Sequence, residues 1–126
     1  MARTQDQIAS AIIKFEAEVP QLGRLKLVLR LELRAHRDVQ VFRVRLPGPE
    51  ITKGEPDDAR VQISMTRSTF NELAADGKIK DWHQAYERGD VKVVGDSRIK
   101  QLVGQLIQRE EARRKVRKVR RSGVVD

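Results

Sequence analysis

The spacing of apolar residues changes several times along the chain, and each change predicts a different element. Apolar residues recur at helical spacing over residues 8–19, after Thr4, which is placed to cap a helix, and before Pro20, which ends it. Over residues 25–33 every second residue is leucine, with mostly charged residues between. This alternation predicts a strand that buries one face.

The next segment predicts a second strand over residues 39–46. Its apolar residues change phase between Val41 and Phe42, which predicts a β-bulge at that point. Pro47 and Pro49 end the strand, and the polar stretch that follows leaves room for one short edge strand around Ile51.

The central part of the chain alternates between strand and helix signals. Residues 61–65 predict a third strand with one buried face, and Thr66 is placed to cap the helix that follows. Gly77 is suited to a left-handed C-cap of that helix. A second short helix is expected to run from an Asp81 cap to Gly89.

The last elements are a strand over residues 90–95 and a long helix. The helix carries a stripe of apolar residues: Ile99, Leu102, Val103, Leu106 and Ile107. Val116 and Val119 fall outside this stripe, so we expect the packing to end near Ile107. The element order predicts an α+β fold: a single antiparallel-rich β-sheet with one face covered by helices and a long C-terminal helix.

Composition narrows the class of protein. With 126 residues, 39% hydrophobic and 35% charged, we expect one globular domain, and no apolar run approaches the roughly 20 residues of a membrane-spanning helix. The first residues lack the pattern of a secretory signal, which predicts a cytoplasmic protein. Because the chain has no cysteine, disulfides and thiolate nucleophiles are excluded.

The net charge of +8 is concentrated at the C-terminus. Residues 109–121 hold eight basic and two acidic residues, so this segment supplies +6 of the total. We therefore divide the chain into a folded domain at residues 1–108 and a basic helical extension or tail at residues 109–126. The residues predicted to face an anionic surface are Arg113, Arg114, Lys115, Arg117, Lys118, Arg120 and Arg121.

This basic segment has three interpretations. It is a solvated extension, a peripheral contact with an anionic membrane, or a sequence-independent contact with the phosphates of nucleic acid. No aromatic residue lies in the segment to stack on bases, which makes nucleic acid the less favoured partner.

Catalytic signals are weak. His36 lies in a predicted turn and His83 in a short helix, and neither has a partner residue at a spacing typical of a metal site or a nucleophile. We expect no catalytic residue, no metal and no cofactor, and therefore a binding protein rather than an enzyme.

Residues 61–106 resemble the sterol carrier protein family. The resemblance rests on twelve residues that follow the family's pattern in order and spacing: Met65, Phe70, Leu73, Gly77, Lys78, Ala85, Tyr86, Gly89, Val91, Val93, Gly95 and Asp96. It implies non-catalytic binding or transfer of a lipid, fatty acid, acyl-CoA or sterol-like ligand in an apolar cavity between the sheet and the helices. At about 0.8 kcal/mol per buried CH₂, a segment of eight to ten carbons suffices for micromolar binding.

The inward apolar residues are the candidates for the cavity wall that the resemblance implies. They are Phe42, Ile63, Met65, Phe70, Leu73, Trp82, Tyr86, Leu102, Val103 and Leu106. The alternative is a binding or scaffold module with the same fold and a filled core, which contacts nucleic acid, a partner protein or an anionic membrane through its basic C-terminal segment. The oligomeric state stays open, because the leucine-rich strand could also pair across a dimer.

Overall fold

The computed structural model describes residues 4–121, except for the side chains of residues 114 and 117–121. Four helices and five strands follow one another along these described residues. They are α1 (Thr4–Glu18), β1 (Leu27–Ala35), β2 (Asp38–Leu46), β3 (Glu50–Lys53), β4 (Val61–Thr66), α2 (Arg67–Asp76), α3 (Ile79–Arg88), β5 (Lys92–Gly95) and α4 (Ser97–Arg121). A short 3₁₀ segment, Pro20–Arg24, links α1 to the strand β1.

The five strands form one sheet in the order β3-β2-β1-β4-β5. Only the central pair, β1 with β4, is parallel among the strands described; the other three pairs are antiparallel. The predicted α+β fold with an antiparallel-rich sheet is therefore confirmed. The edge strand predicted around Ile51 is also present as β3.

The leucine alternation of β1 places one set of side chains beneath the helices. Leu31 pairs with Phe42 on β2 and with Ile63 on β4, and Leu33 pairs with Met65. Paired residues on neighbouring strands point to the same face of a sheet. These side chains therefore form a continuous apolar layer across the three central strands.

The predicted bulge at Val41 and Phe42 is wrong. The register between β1 and β2 runs without interruption from the pair Leu27 and Leu46 to the pair Ala35 and Asp38. The phase of the apolar residues changes because Val41 lies on the outer face, whereas Phe42, only 2% exposed, lies in the core. A strand can carry valine on its exposed face without any change in its backbone.

Helix boundaries match the capping residues only in part. The Thr66 side chain accepts a hydrogen bond of 3.1 Å from the Thr69 N–H, as a helix N-cap does. Gly77 has φ −67°, so the predicted left-handed cap there is wrong, whereas Gly89 has φ 87° and does end α3 in that way. Asp81 lies inside α3, and its carboxylate accepts a bond of 2.8 Å from the Lys78 N–H.

The helix α4 packs further along its length than the apolar stripe predicts. Glu110 is only 8% exposed. The next residue, Glu111, lies 3.1 Å from Nδ1 of His83 on α3. The predicted end of packing near Ile107 is therefore wrong, because polar contacts with α3 continue for another turn. No described helix is long and apolar enough to span a bilayer.

Candidate functional site: an apolar cavity

A cavity of about 400 Å³ lies between the sheet and the helices. Its floor is made by the leucine-rich part of β1 together with inward residues of the neighbouring strands. The strand residues that line it are Leu27, Leu29, Leu31, Val44, Leu46, Val61, Ile63, Met65 and Val93. All of them are apolar, as expected for the inner face of a sheet covered by helices.

The helices supply the other walls of the cavity. One side comes from α1, through Ile8, Ala11, Ile12, Phe15 and Glu16. Another comes from α3, through Trp82, His83 and Tyr86. The last comes from α4, through Ile99, Lys100, Val103, Gly104, Ile107 and Gln108. Further apolar contributions come from Leu22, Leu25, Phe70 and Val91.

Six of the ten predicted wall residues border this cavity: Ile63, Met65, Phe70, Trp82, Tyr86 and Val103. Trp82 lies edge-to-face with Phe15, with the ring centroids 6.1 Å apart, so α1 and α3 meet through an aromatic pair. Tyr86 is 46% exposed while bordering the cavity, which places it at an opening to solvent.

The other four predicted wall residues lie elsewhere. Phe42 belongs to the packed core, and Leu73 borders a void of only about 10 Å³ between α1 and α2. Leu106 packs in a second apolar cluster with Val19, Leu22 and Ile79. Leu102 is 41% exposed on the outside of α4.

The rotation of α4 about its axis explains why its cavity-lining residues were only partly predicted. At about 100° per residue, the residues of α4 that line the cavity are centred about 80° from the centre of the apolar stripe. The apolar stripe of α4 faces the cluster around Leu106. Only one edge of the stripe, together with neighbouring polar residues of α4, borders the cavity. The apolar pattern therefore could not identify three cavity-lining residues of α4: Lys100, Gly104 and Gln108.

Four polar residues line the cavity, Glu16, His83, Lys100 and Gln108, and all of them come from helices. His83 is held on both sides: Nδ1 lies 3.1 Å from Glu111 and Nε2 lies 3.2 Å from Glu87. Oε1 of Glu16 is fully buried, and no hydrogen-bond partner for it exists in the described part of the chain. Sequence reasoning placed none of these residues at the cavity, because single polar residues within helical segments follow no recognisable motif.

Gly104 lines the α4 wall of the cavity without contributing a side chain. A Cβ atom placed there would meet no heavy atom within 4 Å beyond the helix's own nearby backbone. A larger side chain at this position would therefore project into open space.

The predicted anionic-surface residues lie on or near the last turns of α4. Arg113 is exposed and lies 3.6 Å from Glu110, and Lys115 is exposed as well. The side chains of Arg114, Arg117, Lys118, Arg120 and Arg121 fall outside the described part of the structure. Their predicted contact with a membrane or nucleic acid, and the division of the chain at residue 108, stay predictions. Across the described residues, no group of three or more potential metal ligands comes together.

Comparison with known proteins supports the fold. No family model matches the sequence, and no curated protein matches it. Among solved structures, palmitated SCP2L2 from Aedes aegypti aligns with a TM-score of 0.57 and 14% identity, covering 79% of this chain and 93% of that one. Sterol carrier protein domain 2 of Helicoverpa armigera aligns with a TM-score of 0.59 and 12% identity, covering 86% and 92%.

An enzyme is also similar in part. The stereoselective inverting sec-alkylsulfatase Pisa1 from Pseudomonas aligns with a TM-score of 0.55 and 18% identity, covering 85% of this chain but 16% of the enzyme. The two sterol carrier structures show that the chain has the fold of a sterol-carrier-protein-like domain. The predicted resemblance is therefore confirmed at the level of the fold.

Proposed function

We propose that this domain binds a lipid or another apolar ligand in the cavity and carries it without chemical change. The observation that carries the proposal is the cavity itself, at about 400 Å³ with an entirely apolar floor. Protein interiors are normally packed without voids larger than a water molecule. A space of this size falls in the range of roughly 300–1,000 Å³ typical of ligand pockets.

Burial of apolar surface supplies the binding free energy. Each CH₂ group moved from water into the cavity contributes about 0.8 kcal/mol, so a chain of modest length is retained without any covalent or metal contact. The opening beside Tyr86 offers a way in from solvent. The fold neighbours support an acyl or sterol-like ligand, since one is described as palmitated and another as a sterol carrier protein domain.

Native mass spectrometry of the protein purified without detergent tests this proposal. We expect wild type to retain an added long-chain lipid, and Gly104→Phe to lose it because the phenyl ring fills the cavity. Two variants serve as matched controls: Gly104→Ala adds only one methyl group, and Leu102→Phe adds the same ring on the exposed side of the same helix. Both controls are expected to bind like wild type.

Two results would contradict ligand binding in the cavity. If wild type binds no lipid, or if Gly104→Phe and Leu102→Phe bind equally well while remaining folded, the cavity is not the binding site. Repeating the measurement at about 0.5 M salt separates burial from charge, because a contact made through the basic residues 109–121 would weaken by orders of magnitude. Salt-sensitive binding of that kind would instead favour the scaffold alternative.

A further inference from the structure

The helix α4 presents a second surface, on the side that faces away from the cavity. At about 100° per residue, six exposed residues lie within about 45° of one direction, roughly opposite to the residues of α4 that line the cavity. Packing of the inward side through the cluster around Leu106 fixes this orientation. We call the surface the outer α4 face, and it consists of Arg98, Leu102, Gln105, Arg109, Arg113 and Val116.

The fold separates the charges of α4. The helix contains two acidic residues, Glu110 and Glu111. Glu110 is only 8% exposed, and Glu111 lies 3.1 Å from Nδ1 of His83 on α3. Both acidic residues therefore lie off the outer α4 face, which carries three arginines and, within the described part of the helix, no carboxylate.

These arginines keep their charge available for a partner. Arg98 and Arg109 form no ion pair with a described residue, and Arg113 has one long contact, of 3.6 Å, with a glutamate of its own helix. On the outer face of the sheet, by contrast, Arg43 donates two hydrogen bonds to Asp58, which neutralises its charge. The outer α4 face is therefore complementary to an anionic partner.

Two apolar side chains lie among these arginines and indicate what that partner is. Leu102 is 41% exposed and Val116 is 50% exposed. Apolar side chains gain little from the phosphates of nucleic acid, and the face has no aromatic residue to stack on bases. A bilayer interface, in contrast, takes apolar side chains below the level of the headgroups while arginines stay beside the phosphates. We propose that the outer α4 face docks on a membrane surface that contains anionic lipids.

This inference goes beyond ligand binding in the cavity and does not depend on it. It extends the basic surface by about four turns of helix toward the N-terminus, from Arg113 to Arg98. It also gives Leu102, which the sequence places in the cavity wall, a role on the opposite side of α4. A docked α4 would lie between the bilayer and the cavity.

Co-sedimentation with phosphatidylcholine vesicles, with and without about 30% phosphatidylserine, tests the proposal. We expect wild type to bind the anionic vesicles about tenfold or more tightly than the neutral ones at about 0.1 M salt. Most of this difference should be lost at about 0.5 M salt, because the charges of the headgroups are then screened.

Variants assign the binding to the outer α4 face. We expect Arg98→Gln with Arg109→Gln to weaken binding to anionic vesicles about tenfold or more, since each basic residue near the surface contributes about fivefold. The control, Arg37→Gln with Lys53→Gln, removes the same charge from exposed positions at the β1–β2 turn and on the edge strand β3, and should bind within about twofold of wild type. Leu102→Ser should weaken binding severalfold at unchanged charge. Thermal unfolding checks that each variant is folded.

Several results would overturn the proposal. Equal binding to neutral and anionic vesicles would do so, as would equal losses in the two double variants. Tighter binding to duplex DNA than to anionic vesicles, with no effect of Leu102→Ser, would assign the face to nucleic acid instead. A protein that retains lipid in its cavity but does not bind anionic vesicles would contradict the docking proposal alone and leave the proposed function intact.

Discussion

The helices cover the sheet in two different ways. Toward α2, the side chain of Leu33 is only 1% exposed and does not line the cavity, and the void beside α1 and α2 is only about 10 Å³. Toward α4, the same layer of helices leaves about 400 Å³ open above the sheet. We call these the closed side and the open side.

The difference follows from what each helix contacts. The helix α2 begins directly after β4 and packs on α1, β1 and β4, so its side chains fill the space above the sheet. The helix α4 packs chiefly on α3 and on the 3₁₀ segment, through the cluster around Leu106. An apolar sheet is therefore compatible with either a filled core or a cavity, and the orientation of the covering helix decides between them.

Two leucines of β1 provide the strongest test of this difference. Leu33 is 1% exposed on the closed side, and Leu29 lines the cavity on the open side of the same strand. We expect Leu33→Ala to lower the free energy of unfolding by about 2–5 kcal/mol, since it creates a new void in a packed core. Leu29→Ala should cost clearly less, because that side chain already borders empty space and has fewer contacts to lose.

Urea denaturation of both variants, without lipid, measures these losses. The sequence alone gives no reason for a difference, as both residues belong to the same leucine alternation. Equal losses would contradict the distinction between the closed and the open side.

Two glycines extend the comparison to the helices. A Cβ at Gly77, beside the closed side, would overlap the carbonyl oxygen of Leu73, whereas a Cβ at Gly104 meets no heavy atom within 4 Å beyond the helix's own nearby backbone. We expect Gly77→Ala to destabilise the protein by about 1–3 kcal/mol through that overlap. Gly104→Ala should stabilise it by up to about 1 kcal/mol, since alanine favours the helical conformation.

Thermal or urea unfolding of this pair gives the signs directly. A loss of stability in Gly104→Ala would mean that the α4 wall is packed more tightly than the cavity allows.

The outer face of the sheet gives the smallest expected effect. There Arg43 donates two hydrogen bonds to Asp58, at 3.0 and 2.7 Å, and these bonds lower the pKa of the Asp58 carboxyl group. Hydrogen bonds from Arg30 lower the pKa of Glu55 in the same way. A carboxylate with a lowered pKa in the folded state adds stability above its unfolded pKa, and this contribution is lost as pH falls through the folded value.

We therefore expect a slight loss of stability below about pH 4 that is reduced in Asp58→Asn. The urea midpoint of both proteins measured from neutral to acidic pH tests this. Lipid binding near neutral pH should not change in Asp58→Asn, because these pairs lie away from the cavity; a change would show that the two faces of the sheet are coupled.

Much of the fold could be predicted from the sequence because its signals are local. The leucine alternation of β1, the Thr66 cap and the edge strand around Ile51 all correspond to elements of the structure. The conformation at Gly77 and the uninterrupted register at Val41 depend on neighbouring strands and helices, which a local pattern does not contain.

The cavity was harder to predict than the core. The spacing of apolar residues predicts which side chains are buried. It does not distinguish a side chain packed against its neighbours from one that lines a cavity. Leu102 and Ile107 belong to the same apolar stripe, and only the rotation of α4 places Ile107 on the cavity and Leu102 outside. Glu16 and Lys100 also line the cavity, but a search for apolar residues does not identify them because their side chains are polar.

The most direct test of the central claim uses the single tryptophan of the chain, Trp82, which lines the cavity. A long-chain lipid brominated at mid-chain quenches tryptophan fluorescence only on close contact. We predict saturable quenching of Trp82 that persists at about 0.5 M salt, is kept in Leu102→Phe, and is lost in Gly104→Phe. Binding of the lipid without quenching, or quenching that survives Gly104→Phe unchanged, would contradict a ligand site inside the cavity.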